Sequence, residues 1–385
     1  MGNPSVTNPV LHDFRIERPR FVGNQKDFFD WLPEAHAKAD LSDGKVENQL
    51  ERYRKIMRRV GCSPEQIETR GYEIKDFSHA QWSEMEIFRL DEAPAGVGME
   101  VRTRYFDHAV QRVFENFYAQ DISPPDDLIH VTCTGYVSPS AAQRLVADKE
   151  WGNVTQVTHA YHMGCYAAFP AVRQARGFLA AEPLKKRIDI VHTEICGLHL
   201  NPADHALENF VVQTLFADGF VRYTLGQSLP EAAPVGLELL TLKEVVLPKT
   251  QAAMTWICGD HGMRMTLSKD VPSLVAQALP SFLQSFLRAA GFERDQICAE
   301  ARFAVHPGGP KILDQVKTSL GLKEEQIEVS REILRTHGNM SSATLPHIWE
   351  KMASDPKIPP GALIVSLAFG PGLTVCGALL RKIAH

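Results

Sequence analysis

At 385 residues, 44% of them hydrophobic, the chain is long enough for a large core or two fused subdomains. A formal net charge of −5 with dispersed Lys and Arg gives no basic surface for nucleic acid, so any phosphate recognition has to be local. The seven cysteines, an odd number without a CxxC pair, point to reduced thiols, and no run of about 18 apolar residues occurs. A cytoplasmic protein without a membrane span is the expectation.

Residues 1–45 are polar and mixed. They read as a loose arm with an aromatic anchor, Phe28-Phe-Asp-Trp-Leu32, that packs on the body or on a neighbouring subunit. Residues 47–60 form a helix rich in Arg and Lys, with Lys55 and Arg58 three apart on one face. Residues 98–120 read as an amphipathic helix with Val101, Tyr105, Ala109, Val113 and Phe117 on its apolar side. A buried strand over 128–134 leads into a loop, 135–139. Next, a β-like run over 157–161 meets Gly164 and Cys165, followed by apolar positions Ala168, Val172, Ala175 and Leu179 at helical spacing. That pattern predicts a strand, a tight turn and a helix opening at the cysteine. A strand over 187–194, a helix over 205–216 and a strand over 220–224 follow. Such alternation implies a largely parallel, buried sheet.

After a linker over 230–234, residues 237–248 and 254–267 read as strands and 273–290 as a helix. A strand over 301–305 precedes helices over 312–320, 329–337 and 341–353. The last strands flank Gly370-Pro-Gly372. No self-similarity between the two parts of the chain is visible.

The chemistry concentrates at three boundaries. A helix N-terminus favours thiolate over thiol, which makes Cys165 a candidate nucleophile, although a lone free cysteine is as often a small buried hydrophobe. His306 ends the apolar run from Phe303 to Val305, and Asn339 stands just before a predicted helix. Either alone reads as structural. Together with Cys165 they form a working set: the thiolate attacks, the imidazole pairs with it and relays protons, and the amide orients or donates to an oxyanion. No G-x-G-x-x-G fingerprint follows any strand.

Residues 161–176, Leu215-Phe-Ala-Asp-Gly219, Leu267-Ser-Lys-Asp-Val-Pro272, 304–310, 337–343 and Phe369-Gly-Pro-Gly-Leu-Thr-Val375 together carry a resemblance. From about Lys55 to the C-terminus the chain resembles the type III polyketide synthases, the chalcone synthase-like branch of the thiolase superfamily. The resemblance implies an α/β, duplicated, five-layered αβαβα thiolase fold. Residues 1–235 would carry the nucleophilic cysteine and residues 236–385 the catalytic His and Asn. It also implies that Cys165 accepts an acyl group from a thioester, with His306 holding the thiolate as an ion pair and lowering its pKa below the usual value of about 8.5. His306 and Asn339 would then stabilise the enolate that forms when malonyl-CoA loses carbon dioxide. Phe216 takes the gatekeeper position, and Phe369, Gly370, Pro371 and Gly372 the cyclisation region. Lys55, Arg58 and Lys269 would hold the coenzyme A phosphates, with Cys62 where the family often supplies another lysine. Neither a metal nor a redox cofactor is implied, and the loop over 135–139, with Ser138 in place of a methionine, implies a homodimer.

Departures from the plant chalcone synthase pattern bear on specificity. Cys133, Cys196 and His199 stand where cavity threonines are expected, and Trp256 where a glycine is expected. Met265 replaces a second gating phenylalanine, and Cys376 replaces a glutamate. These changes point to an acyltransferase that condenses a fatty acyl-CoA starter on Cys165 with malonyl-CoA into an alkylpyrone or alkylresorcinol. Two alternatives are a ketoacyl synthase III-like single condensation using an acyl-carrier protein and a non-catalytic thiolase-fold binding protein.

Overall fold

The computed structural model describes residues 8–40 and 46–384. The chain begins with β1 (Val10–Glu17), β2 (Phe21–Asn24), α1 (Gln25–Ala39), α2 (Val46–Val60), β3 (Thr69–Tyr72) and α3 (Met99–Phe117). It continues through β4 (Asp127–Thr132), α4 (Ala141–Asp148), β5 (Gln156–Tyr161), α5 (Ala168–Ala181), β6 (Arg187–Glu194), α6 (Leu207–Leu215) and β7 (Gly219–Gly226). The remainder holds β8 (Val235–Val246), β9 (Met254–Gly259), β10 (Gly262–Leu267), α7 (Val271–Ala289), α8 (Arg294–Glu300) and β11 (Arg302–Val305). Last come α9 (Pro310–Leu320), α10 (Glu324–His337), α11 (Thr344–Ser354), β12 (Leu363–Gly370) and β13 (Thr374–Ala384). Among the described residues, no helix is long and apolar enough to cross a membrane.

Nine strands form one sheet in the order β11-β12-β13-β8-β1-β7-β6-β4-β5. A repeat that the sequence hides is plain in the pairing. β4 runs parallel to β6, which is antiparallel to β7, which is antiparallel to β1. β11 runs parallel to β12, which is antiparallel to β13, which is antiparallel to β8. The two sets meet where β1 and β8 pair antiparallel over two positions only, Val10 with Glu238 and Leu11 with Leu237. The sheet is therefore mixed, not largely parallel as the alternation of elements suggested, because β7 and β13 return antiparallel beside β6 and β12.

Side chains on successive strand positions leave opposite faces, and the cores follow that rule. On β12, Ile364 and Ala368 enter the central core, while Val365, Leu367 and Phe369 enter an outer one. The central core also takes Ile129, Ile188 and Val221 from the first set, together with α5 and α11. These two helices are thus packed between the sets, α10 adds Val329 and Ile333 to the same core, and the remaining helices cover the outer faces. Ala168, Ala171 and Ala175 on α5 are buried there. Small side chains at this spacing let a helix lie close to strands on both sides.

Two further sequence expectations change. Residues 8–40 are not a loose arm, while residues 1–7 and 41–45 of that expectation lie outside the described residues: β1 is the strand that joins the two sets, with Leu11 fully buried. Its polar letters (His12, Asp13, Arg15, Glu17) hid a strand with partners on both sides. Phe28 and Trp31 do serve as anchors, but from α1, within an aromatic cluster with Phe77 and Phe88. On α3 Ala109, Val113 and Phe117 are buried as expected, but the first turns bury a different set. Arg102, Phe106, Val110 and Phe114 point inward and Val101 is exposed, because the Arg102 guanidinium finds the carbonyls of Ala95, Val97 and Leu200.

Candidate active site

Cys165 lies in the turn between β5 and α5, and the first helical residue is Ala168, not the cysteine itself. Two glycines shape this turn. Gly164 has φ +80°, and a Cβ there would come 2.6 Å from Pro371 Cδ. A Cβ on Gly370 would meet the Tyr166 ring at 2.3 Å. The nucleophile turn and the Gly370-Pro-Gly372 segment are therefore interlocked at backbone distance, which only residues without side chains permit. The Gly164 N–H also donates to Cys133 Sγ at 3.0 Å, so Cys133 supports the turn as well as walling the cavity.

Asn339 is brought to the cysteine by the 215–219 block. Its N–H donates to the Leu215 carbonyl (3.0 Å), and its own carbonyl accepts from the Ala217 N–H (2.8 Å). Phe216 is thereby bridged to Asn339 in parallel pairing. The Asn339 Oδ1 accepts from the Ser341 N–H at 2.9 Å, which fixes the amide with its nitrogen as the free donor side. The Cys165 thiol contacts the Ser341 hydroxyl at 3.9 Å, and Ser341 and Asn339 both favour its thiolate. Burial outweighs them and pushes the Cys165 thiol up to about 12.

His306 directly follows β11, its N–H donating to the Leu367 carbonyl at 2.8 Å. It is buried, neither ring nitrogen has a hydrogen-bond partner, and burial brings its pKa down to about 3. Burial disfavours the charged form of both groups, and no hydrogen bond or charge interaction between Cys165 and His306 offsets it among the described residues. The neutral imidazole keeps one N–H donor and one acceptor nitrogen, both without a partner among the described residues.

A cavity of about 270 Å³ opens beside Cys165, and Phe216, Met265, Trp256, Cys133, Cys196 and His199 all line it. Pro371 lines it as well, whereas Phe369 points into the outer core. The surface cations are set apart from this chamber. Lys55 and Arg58 are exposed on α2, Lys55 lies 3.8 Å from Glu51, and Lys269 is exposed before α7. None of the three borders the cavity. Cys62 is buried, bonded through its N–H to Thr214, and takes no part in a surface clamp.

Sequence reasoning missed the polar support behind the cysteine. Glu194, fully buried at the end of β6, accepts from the Cys133 N–H (3.1 Å), the Thr134 hydroxyl (3.0 Å) and the Ser342 hydroxyl (2.5 Å). One carboxylate thus ties the loop after β4 to the segment before α11. The signal was available: an acidic residue closing a strand whose apolar positions Ile188, Ile190 and Val191 mark it as buried. Asp218 also borders the cavity and accepts from the Gly197 N–H (2.8 Å) and the Glu73 N–H (2.7 Å). Burial pushes its carboxyl up to about 7.

Known proteins bear on this arrangement. Residues 238–384 match the family described as chalcone and stilbene synthases, C-terminal domain. The chain is 30% identical over 260 residues to "Type III polyketide synthase C" of Arabidopsis thaliana, covering 66% of this chain and 67% of that protein. It is 27% identical over 259 residues to "Probable polyketide synthase 1" of Dictyostelium discoideum, covering 66% of this chain but only 8% of that much longer protein. In three dimensions it is similar to the C-terminal type III polyketide synthase domain of Steely1, a type I/III hybrid from Dictyostelium. The TM-score is 0.81 at 23% identity, with 98% of this chain and 100% of that domain covered.

Proposed function

The chain belongs to the type III polyketide synthases, acyltransferases of the thiolase fold that act on coenzyme A thioesters, and on that premise we propose that it extends a fatty acyl starter held on Cys165 with malonyl-CoA to give an alkylpyrone or alkylresorcinol. The observation that carries this reading is a single chamber, walled by Phe216, Met265 and Trp256, that opens at the Cys165 thiol beside Asn339. A wall of thiols, thioether and aromatic rings suits an alkyl chain, and Trp256 occupies space that a bulky aromatic starter would need.

In this mechanism His306 takes the Cys165 proton as the starter thioester arrives. The sulfur attacks the thioester carbonyl, coenzyme A leaves, and its thiolate is protonated by the imidazolium. Malonyl-CoA next places its thioester oxygen against the Asn339 amide nitrogen and His306. Its carboxylate leaves as carbon dioxide, and the enolate left behind is stabilised by these two donors. The enolate carbon attacks the acyl–Cys165 carbonyl, and the Cys165 thiolate is the leaving group. Phe216 keeps water from the enolate. Lys55, Arg58 and Lys269 hold the phosphates of the coenzyme A tail, and residues 369–372 shape ring closure.

The same proposal includes a cytoplasmic C₂ homodimer. β5 is the outer strand of the nine-stranded sheet, and Ser138 in the loop after β4 is exposed. An unpaired edge is a ready surface for a second copy. Sedimentation at micromolar concentration is expected to give a dimer, and a monomer contradicts it.

The test of function is product analysis. Purified protein is incubated with labelled malonyl-CoA and a panel of acyl-CoA starters, with Cys165→Ala as control. Ring products from long-chain starters, absent in the control, are expected. Ring products from an aromatic starter in preference to alkyl ones contradict the proposal.

A further inference from the structure

The β9–β10 hairpin forms its own two-stranded sheet and carries Met254, Trp256, Met263 and Met265 into the cavity wall. Ile257 and Arg264, paired across the two strands, are exposed on the other face. A two-stranded ribbon with one wet face has little stability of its own, so something in the body has to hold it down. Two imidazoles do so, one on each strand.

His199 is buried and reaches β10. Its Nδ1 accepts from the Met263 N–H at 3.0 Å, and its Nε2 faces the Thr134 carbonyl at 2.9 Å. A carbonyl accepts only, so the proton sits on Nε2 and Nδ1 is the acceptor. Gly262, with φ +132°, allows the close approach, since a Cβ there would stand 3.2 Å from His199 Cα. His162 reaches β9, its Nε2 donating to the Trp256 carbonyl at 2.9 Å while Nδ1 accepts from the Tyr136 hydroxyl. Trp256 completes the circuit with its indole N–H on the Cys133 carbonyl at 2.8 Å. All three links end on residues 133–136, the loop after β4. Two further ties, Met99 N–H to the Asp260 carbonyl (2.7 Å) and Arg264 to Asp204 (3.4 Å), act at the tip and outer edge and leave the strands over the cavity to the histidines.

We propose that His199 and His162 are positioning residues that clasp the β9–β10 hairpin onto the loop after β4, and so set the size of acyl chain the cavity takes. His199 is on this reading a strut in the place of a cavity threonine, and Trp256 blocks the pocket only while the clasp is shut. The inference rests on the acyl-cavity reading above, and the experiment separates the two.

Hydrogen exchange of the Met263 amide is measured in wild type, His199→Ala, His199→Gln and His162→Ala, alongside kcat and KM for starters of increasing length. Exchange in His199→Ala is expected to quicken by about tenfold or more, the loss of one buried hydrogen bond. KM for the preferred starter rises by about tenfold with kcat within about twofold, and longer starters gain relative to it. Gln offers both a donor and an acceptor, so His199→Gln stays within about threefold of wild type in both readouts. If His199→Ala does not fold, the exposed His162→Ala decides, with smaller shifts in the same directions. Wild-type exchange rates in the alanine variants that fold overturn the clasp, as does faster exchange with an unchanged starter profile. A wild-type enzyme inactive on every acyl-CoA overturns the acyl-cavity reading instead, and the exchange rates then still decide whether the histidines hold the hairpin.

Discussion

The turn that carries Cys165 and the hairpin that roofs the same cavity are held in opposite ways. The turn is locked by backbone: Gly164 against Pro371, Gly370 against Tyr166, and a buried carboxylate, Glu194, behind them. The hairpin is held by the side chains of His162, His199 and Trp256, with Ile257 and Arg264 exposed to water. Chemistry needs the reacting atoms in one fixed geometry, whereas substrate size needs only a wall that is present. The site therefore places its rigidity at the nucleophile and leaves the roof adjustable.

Breaking the rigid side has the largest effect. Gly164→Ala adds a Cβ into Pro371 at a left-handed φ, and is expected to cost about 2–4 kcal/mol in a urea melt. Turnover should fall by about a hundredfold even where the variant folds, because the thiol is displaced from the reacting carbon. Wild-type activity in Gly164→Ala contradicts the lock.

The protonation state of the nucleophile sharpens the same contrast. Only thiolate is alkylated, and the Cys165 thiol is pushed up to about 12. In a Cys258→Ser background, which removes the exposed thiol, inactivation by iodoacetamide should rise about tenfold per pH unit from 7 to 10. A plateau that begins near neutral pH shows a thiolate already paired with imidazolium.

The roof gives the smaller effect. Trp256 is partly exposed, so Trp256→Gly is expected to cost about 1–3 kcal/mol, less than a fully buried indole. It should admit bulkier or aromatic starters, or lengthen the product by an extension. A lower melting temperature with the same starters and products makes Trp256 a packing residue only.

Much of this was legible in the sequence because the blocks are local. The strand ending at Glu194 was read one-for-one as 187–194, and Cys165, Cys133, Cys196, His199, Phe216, Trp256 and Met265 do share one chamber. What stayed hidden depends on distant partners. β1 reads as polar because its burial comes from β7 and β8, more than 200 residues downstream. Arg102 looked like the wet side of α3 until the carbonyls of Ala95 and Leu200 were placed around it. The twofold pairing pattern left no repeat in the letters, since packing constrains burial and not identity. His162 gave no signal at all: an exposed histidine acquires meaning only when Trp256 folds over it.

Intact-mass and peptide measurement of the acyl-enzyme tests the central claim most directly. The protein is mixed with a long-chain acyl-CoA in the absence of malonyl-CoA, digested and mapped. One acyl group on the peptide that holds Cys165 is expected, lost on addition of malonyl-CoA as a ring product appears. An acyl group on Cys133 or Cys196 instead, or one on Cys165 that malonyl-CoA does not discharge, contradicts it.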